Sequence, residues 1–206
     1  QECDTVGITR HCTKPNYLVK SIEDLPRILH EAFYVAANGR PGPVVIALPE
    51  DMLTDTVETV DALPYAVTET SPSPTAMAEL QQRIESAERP VAILGGSRWT
   101  DAAVQQFAAF AERFSLPVYC SFRRQMLFSA DHPCYGGDLG IGANPKLLAR
   151  VRNADLVLLI GGRMSEMPSQ SYELFEIPTP RQQLVHVHVD ADELGKMYRA
   201  ALPIHA

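Results

Sequence analysis

Asp155-Leu156-Val157-Leu158-Leu159-Ile160-Gly161-Gly162 is one acid, five unbroken apolar residues and two glycines. The apolar run is too short for an ordinary helix and shows no polar–apolar alternation, so it reads as a strand buried on both faces. Upstream, Val91-Ala92-Ile93-Leu94 ends in the same way, at Gly95-Gly96-Ser97. Leu116–Cys120 reads as a strand between them, and Leu184–Val189 as a fourth that ends at Asp190-Ala191-Asp192. Helical patterns separate the strands: Met77–Ala87, the Ala- and Phe-rich Ala102–Phe114, and a segment opened by Asn144-Pro145 and closing near Arg152. Glu193 opens a further short helix, and Gly136–Gly142 reads as a glycine-rich loop. Strands alternating with helices predict an α/β fold, a parallel sheet with helices on both faces, Rossmann-like and of the FAD/NAD-binding type.

Further out, Ser21-Ile22-Glu23-Asp24 opens an amphipathic helix in which Ile22, Leu25, Leu29, Ala32, Phe33 and Ala36 recur at helical spacing. Ser21 is the expected cap, and Pro26 is tolerated in the first turn. Asn38-Gly39 stops the helix. Arg40-Pro41-Gly42-Pro43 leads to Val44–Leu48, an expected strand buried on both faces. Residues 55–75 are rich in Thr, Asp, Glu, Ser and Pro, a solvated linker composition. The chain therefore divides into 1–54, a linker at 55–75, and a second unit at 76–206. It opens on Gln1 rather than Met and stops at Leu-Pro-Ile-His-Ala, which reads as a strand beginning. We read it as an internal piece of a longer protein, its second unit truncated.

The 206 residues are 46% hydrophobic and carry a formal net charge of -7. Lys and Arg are scattered singly, which argues against nucleic acid as a partner. No apolar run reaches the ~18–20 residues of a membrane span. Cys3, Cys12, Cys120 and Cys134 form no CxxC pair and match no zinc or disulfide framework. Reduced thiols and an acidic balance point to a cytoplasmic protein.

In an open parallel sheet, ligands bind beyond the carboxyl ends of the strands. Three strand ends are equipped for it: Gly95-Gly96-Ser97, Gly161-Gly162-Arg163 and Asp190-Ala191-Asp192. Glycine lets backbone approach a ligand, a following helix offers N–H groups to a diphosphate, and an acid can accept from ribose hydroxyls. The GxGxxG fingerprint is absent, and tight strand-to-helix turns with no ligand explain the glycines equally well. His186 and His188 share one face of a strand, but a third metal ligand is lacking and the flanking valines favour a packed strand, so no metal site is expected. No Ser-His-Asp or Cys-His set can be assembled.

The chain resembles acetolactate synthase and its thiamine-diphosphate-dependent relatives over essentially its whole length. Thr13-Lys14-Pro15-Asn16-Tyr17-Leu18-Val19, Asp24-Leu25-Pro26 and Gly39-Arg40-Pro41-Gly42-Pro43-Val44 through Pro49-Glu50-Asp51 look like the close of that family's pyrimidine-binding domain. Arg89-Pro90, the Gly95-Gly96 turn, Asp155–Arg163 and His188–Lys196 look like its central domain. The resemblance implies a parent that uses thiamine diphosphate and Mg2+, held by residues outside this chain, to decarboxylate a 2-oxo acid and join or protonate the product. Gly137-Asp138-Leu139 is not the family's Gly-Asp-Gly metal motif, so the piece alone is expected to be inactive. The resemblance further implies FAD, ADP or no nucleotide in the central domain. Positions matching flavin-contacting segments are Gly95, Gly96, Ser97, Ser121, Phe122, Gly137, Gly161, Gly162, Arg163, Asp190 and Asp192. Gln1 matches a glutamine near the active-site cleft. Met164-Ser165-Glu166-Met167 stands where acetolactate synthases show Phe-Asp-Asp-Arg, and Gly95-Gly96-Ser97 where they show three glycines, which implies another specificity. The family also implies a homodimer or homotetramer. Two other readings stand beside this one: a stand-alone nucleotide-binding module, and a domain with a purely structural or assembly role.

Overall fold

A computed structural model describes residues 3–61 and 63–206. The chain divides into two compact units between Glu69 and Thr70. In the first, helix α1 (Thr5–Thr9) is capped by Asp4, whose carboxylate accepts from the Gly7 N–H at 2.8 Å. Strand β1 (Asn16–Leu18), helix α2 (Leu25–Ala37) and strand β2 (Val45–Ala47) follow, with β1 and β2 parallel and Tyr17 opposite Ile46. Ser21 does not cap α2: a 3-10 turn over Ile22–Asp24 comes first, and the Ser21 hydroxyl donates to Glu23. At the other end of α2, Lys14 Nζ donates to the carbonyls of Val35 (2.5 Å), Asn38 (2.8 Å) and Arg40 (3.1 Å). A cation there suits the negative end of the helix dipole.

Val44–Leu48 was expected to be buried on both faces; β2 is only half-buried, and Leu48 is exposed. The sheet of this unit has two strands, and the buried core is small: Val19, Ile28 and Met52. The expected linker is not solvated throughout. The Asn38 amide bonds to Ala66 (3.4 Å) and Thr68 (2.6 Å), and Tyr65 stacks on Phe33.

The second unit runs α3 (Pro74–Ser86), β3 (Pro90–Leu94), α4 (Asp101–Arg113), β4 (Val118–Ser121), β5 (Tyr135–Leu139), α5 (Pro145–Arg152), β6 (Leu156–Ile160), β7 (Gln183–His188) and β8 (Leu202–His205). Ser73, Thr100 and Asn144 cap the three helices through their side chains, and Pro74 and Pro145 occupy first-turn positions. The six strands are all parallel, in the order β5-β4-β3-β6-β7-β8. Alternate residues of β3 serve opposite faces. Val91 and Ile93 pack with Leu147 and Val151 of α5, whereas Ala92 and Leu94 pack with Ile84 of α3 and Ala111 of α4. This is a doubly covered parallel sheet, a Rossmann-like α/β fold.

Two elements differ from expectation, and a third extends the sheet. Gly136–Leu139 belongs to edge strand β5 rather than to a loop. Glycine is a poor strand former, but here a Cβ at Gly136 would strike the Tyr119 ring and one at Gly137 would come within 2.6 Å of Leu147. The ladder to β4 is irregular between Val118 and Tyr119, and Gly137 takes φ 121°. Leu202–His205, read as a strand beginning, forms a sixth strand at the opposite edge, with Leu202 and Ile204 inward and Pro203 on the outer face. Glu193 ends rather than begins the short helix, a 3-10 turn over Ala191–Glu193 capped by Asp190.

Candidate functional site at the sheet's switch point

The chain builds β3, β4 and β5 in one direction, then returns to the far side of β3 and builds β6, β7 and β8 in the other. The turns after β3 and β6 therefore face each other where the direction reverses, the place at which open parallel sheets bind ligands. The two expected glycine pairs meet here. A Cβ on Gly95 would lie 2.7 Å from the Gly162 Cα and 3.3 Å from Ser121 Cβ, and one on Gly96 would fall inside the Gly161 carbonyl. Gly96 and Gly161 both adopt left-handed backbone, φ 74° and 67°. Backbone packs on backbone, so these glycines are required whether or not a ligand is present.

Hydrogen bonding leaves these turns with donors. The Gly95 N–H donates to the Ile160 carbonyl (2.9 Å) and that of Gly161 to Val187 (2.8 Å), extending the ladder past the strand ends. The N–H groups of Gly96, Ser97 and Gly162 take no backbone acceptor among the described residues. Neutral backbone donors on closely approaching glycines fit a diphosphate.

Around this centre Ser97 is exposed, while Ser121 is buried at the end of β4. Phe122 is half-buried, with the Arg123 guanidinium 5.1 Å from its ring centre. Arg163 leaves the β6 turn and pairs with Glu193 at 3.6 Å. The Asp190 carboxylate accepts from the Asp192 N–H at 3.1 Å, so Asp190 is engaged as a cap while Asp192 stays exposed. Gly137 stands apart, within β5 opposite Tyr119 rather than beyond a strand end. Gln1 lies outside the described residues.

Two supporting residues went unassigned in the sequence. The Trp99 indole donates to the Gly95 carbonyl at 2.8 Å, and His186 Nε2 lies 3.0 Å from the Gly162 carbonyl. A carbonyl only accepts, so the His186 proton sits on Nε2. Burial lowers the His186 pKa below its ordinary value, outweighing the raising effect of its bond to the Gly162 carbonyl. His188 is also buried, its Nδ1 accepting from the Asp190 N–H at 3.0 Å. Both histidines thus orient strand-end backbone. Their even spacing on one strand was visible; the carbonyl across the turn was not. Burial pushes the Cys120 thiol up to about 11, which keeps it protonated and unreactive at neutral pH. No group of three His, Cys, Asp or Glu side chains able to hold a metal occurs among the described residues. No described helix is long and apolar enough to cross a membrane.

Comparison with known proteins places this geometry. Residues 77–206 match the model of the thiamine pyrophosphate enzyme central domain. The chain is 33% identical to acetolactate synthase isozyme 3 large subunit of Escherichia coli (strain K12), over 99% of its own length and 36% of the relative's. It is 30% identical to the acetolactate synthase large subunit of Haemophilus influenzae, over 99% of its length and 36% of the relative's. It is 34% identical to probable acetolactate synthase 2, chloroplastic, of Oryza sativa subsp. japonica, over 95% of its length and 30% of the relative's. The chain thus spans about a third of these relatives. With its six parallel strands and its glycine turns meeting at the switch point, the chain belongs to the thiamine pyrophosphate enzyme family, of which it carries the central domain.

Proposed function

We propose that this chain is the nucleotide-binding middle of a thiamine-diphosphate-dependent 2-oxo acid decarboxylase or carboligase resembling acetolactate synthase. Residues 1–54 are the end of a pyrimidine-binding domain, 55–75 a linker, and 76–206 the central domain. The observation that carries the nucleotide reading is the meeting of the β3 and β6 turns, where the N–H groups of Gly96, Ser97 and Gly162 lack backbone acceptors among the described residues. A diphosphate of FAD or ADP takes these donors, Arg163 adds a cation, and Asp190 and Asp192 face the ribose side. Thiamine diphosphate, bound with Mg2+ by parts of the parent outside this chain, supplies the carbanion chemistry. The central domain's share is to position and to shield. The isolated chain is inactive, and the parent acts as a homodimer or homotetramer.

One observation favours a second, structural reading. The glycines of both turns are already accounted for by backbone-on-backbone packing, with Gly95 and Gly162 too close to admit a side chain. The experiment is to denature the purified chain and resolve released nucleotides by chromatography with absorbance detection. Stoichiometric FAD or ADP supports the binding reading. No nucleotide in the released fraction, together with no saturable calorimetric response to added FAD or ADP, rejects it in favour of the structural one.

A further inference from the structure

A second cavity, which shares Arg163 with the switch-point turns, opens on the α5 face of the sheet. It has a volume of about 160 Å³ and lies between β6 and β7 below and the segments 163–172 and 193–198 above. Its apolar walls are Leu159, Met164, Leu184 and Met197. That is close to the ~150 Å³ of a cavity known to accept one benzene ring. Two cations, Arg163 and Lys196, stand at its rim with side chains 44% and 66% exposed. Glu193 lies between them, 3.6 Å from Arg163 and 3.4 Å from Lys196. Two cations against one carboxylate leave the rim with one net positive charge, because His186, which also lines the cavity, is held neutral by burial.

The inner end carries a different signal. Tyr198 is 5% exposed, lines the cavity, and its hydroxyl has no hydrogen-bond partner among the described residues. Ser169 is close enough to act on Tyr198 but lacks hydrogen-bond geometry to it; its hydroxyl donates to the Ser165 carbonyl (2.7 Å) and accepts from the Tyr172 N–H (3.0 Å). A buried hydroxyl without a partner is costly, and such groups mark places where a partner belongs. The wall that carries Tyr172 is also unusual. Gln170, Ser171 and Tyr172 all adopt left-handed backbone, at φ 53°, 58° and 65°, without a glycine among them. Residues persist in that region only where surrounding contacts hold them, as at ligand clamps. Here the Gln170 amide donates to the Gly140 carbonyl at 3.3 Å, and the Ser171 N–H to the Glu166 carbonyl at 2.7 Å.

The geometry points to a binding site for a small carboxylate with an apolar body of one ring's bulk and a hydroxyl or carbonyl at its far end. The carboxylate meets Arg163 and Lys196 in competition with Glu193, the ring lies among Leu159, Met164 and Leu184, and the far oxygen pairs with Tyr198. His186 bonds to the Gly162 carbonyl while lining this cavity, which sets the site beside the β6 turn.

Calorimetric titration of the whole 206-residue chain at fixed ionic strength tests this, with 4-hydroxybenzoate, benzoate and 4-hydroxybenzamide as probes. Both acids are expected to bind saturably, 4-hydroxybenzoate a few-fold more tightly, and the amide more weakly than its acid by about tenfold or more. Tyr198→Phe is expected to erase the difference between the two acids. Arg163→Gln and Lys196→Gln are expected to weaken both, Lys196→Gln at an exposed position that leaves the fold intact. Glu193→Gln is expected to tighten both, because it removes the competing carboxylate. No saturable binding of either acid overturns the site. Equal binding of acid and amide overturns the role of the cations, and loss of affinity in Glu193→Gln overturns the competition on which the proposal rests.

Discussion

Gly96 and Gly142 take nearly the same backbone angle, φ 74° and 71°, yet their surroundings differ completely. A Cβ on Gly142 meets nothing within 4 Å, while one on Gly96 would overlap the Gly161 carbonyl. Gly142→Ala therefore costs only left-handed strain, about 1–2 kcal/mol. Gly96→Ala adds a clash that the two packed turns cannot relieve without moving β3 against β6, for about 3–5 kcal/mol in all. Urea titration of the two variants measures the difference directly. His186 gives the pH counterpart. Its folded pKa lies below the ordinary 6.5, chiefly through burial. The unfolded chain therefore binds the proton more readily, so this contribution is complete above about pH 6.5 and is lost as pH falls below it. His186→Gln keeps a donor for the Gly162 carbonyl and removes the titration. Melting temperature followed from pH 8 to 5 is expected to fall less steeply in the variant than in the parent chain.

At the scale of elements, Asp155 shows how strand starts are fastened. Its carboxylate accepts from the N–H groups of Glu88 (2.7 Å) and Arg89 (2.9 Å), and its carbonyl accepts from the Gln183 N–H at 2.8 Å, so one residue joins the entries of β3, β6 and β7. Burial pushes the Asp155 pKa up, but the backbone donors outweigh it and the net shift is downward. The stabilisation is present above the ordinary carboxylate pKa and lost as pH falls through the lowered one. Asp155→Ala is expected to cost about 1–2 kcal/mol at pH 7, at the low end for a charge-assisted bond because the site is partly exposed. Chemical denaturation at pH 7 and pH 3 checks it, with a smaller penalty at the lower pH. Asp155 was read in the sequence only as the start of a strand, because its partners lie far away along the chain. The same limit explains the edges of the sheet. β3, β4, β6 and β7 carry enough contiguous apolar residues to declare themselves. β5 is Tyr-Gly-Gly-Asp-Leu, with no strand pattern of its own, and exists because β4 offers a ladder and Tyr119 and Leu147 fill the space the glycines leave. The strand-end glycines and acids were legible because turn chemistry is local. Trp99 and His186 were not, because their partners are carbonyls on the turns, invisible to composition.

For the molecule as a whole, the two units differ in how much apolar surface they bury. The second has a core on each face of a six-stranded sheet, whereas the first centres on Val19, Ile28 and Met52 beneath two strands. A two-stranded sheet with so few buried side chains is marginal, while a doubly covered six-stranded sheet supports a cooperative transition. Within the first unit the chain from Leu53 to Leu63 is irregular in its described residues and almost wholly exposed, up to the point where Tyr65, Ala66 and Thr68 return to α2. Backbone of this kind is the first substrate of a protease. A glutamate-specific protease at low ratio is expected to cut first after Glu58 rather than after Glu69. Glu69 follows residues bonded to Asn38, and Glu79, inside α3, pairs with Arg83 at 2.6 Å. The product that retains β3 to β8 is expected to keep its far-ultraviolet circular dichroism and a single melting transition, while the product ending near Glu58 unfolds on release. Mass spectrometry of the first minutes of digestion identifies the cut. Initial cleavage inside α3 or α4 would mean that the second unit opens more readily than the exposed segment, and that the cooperative transition argued from its two cores is wrong.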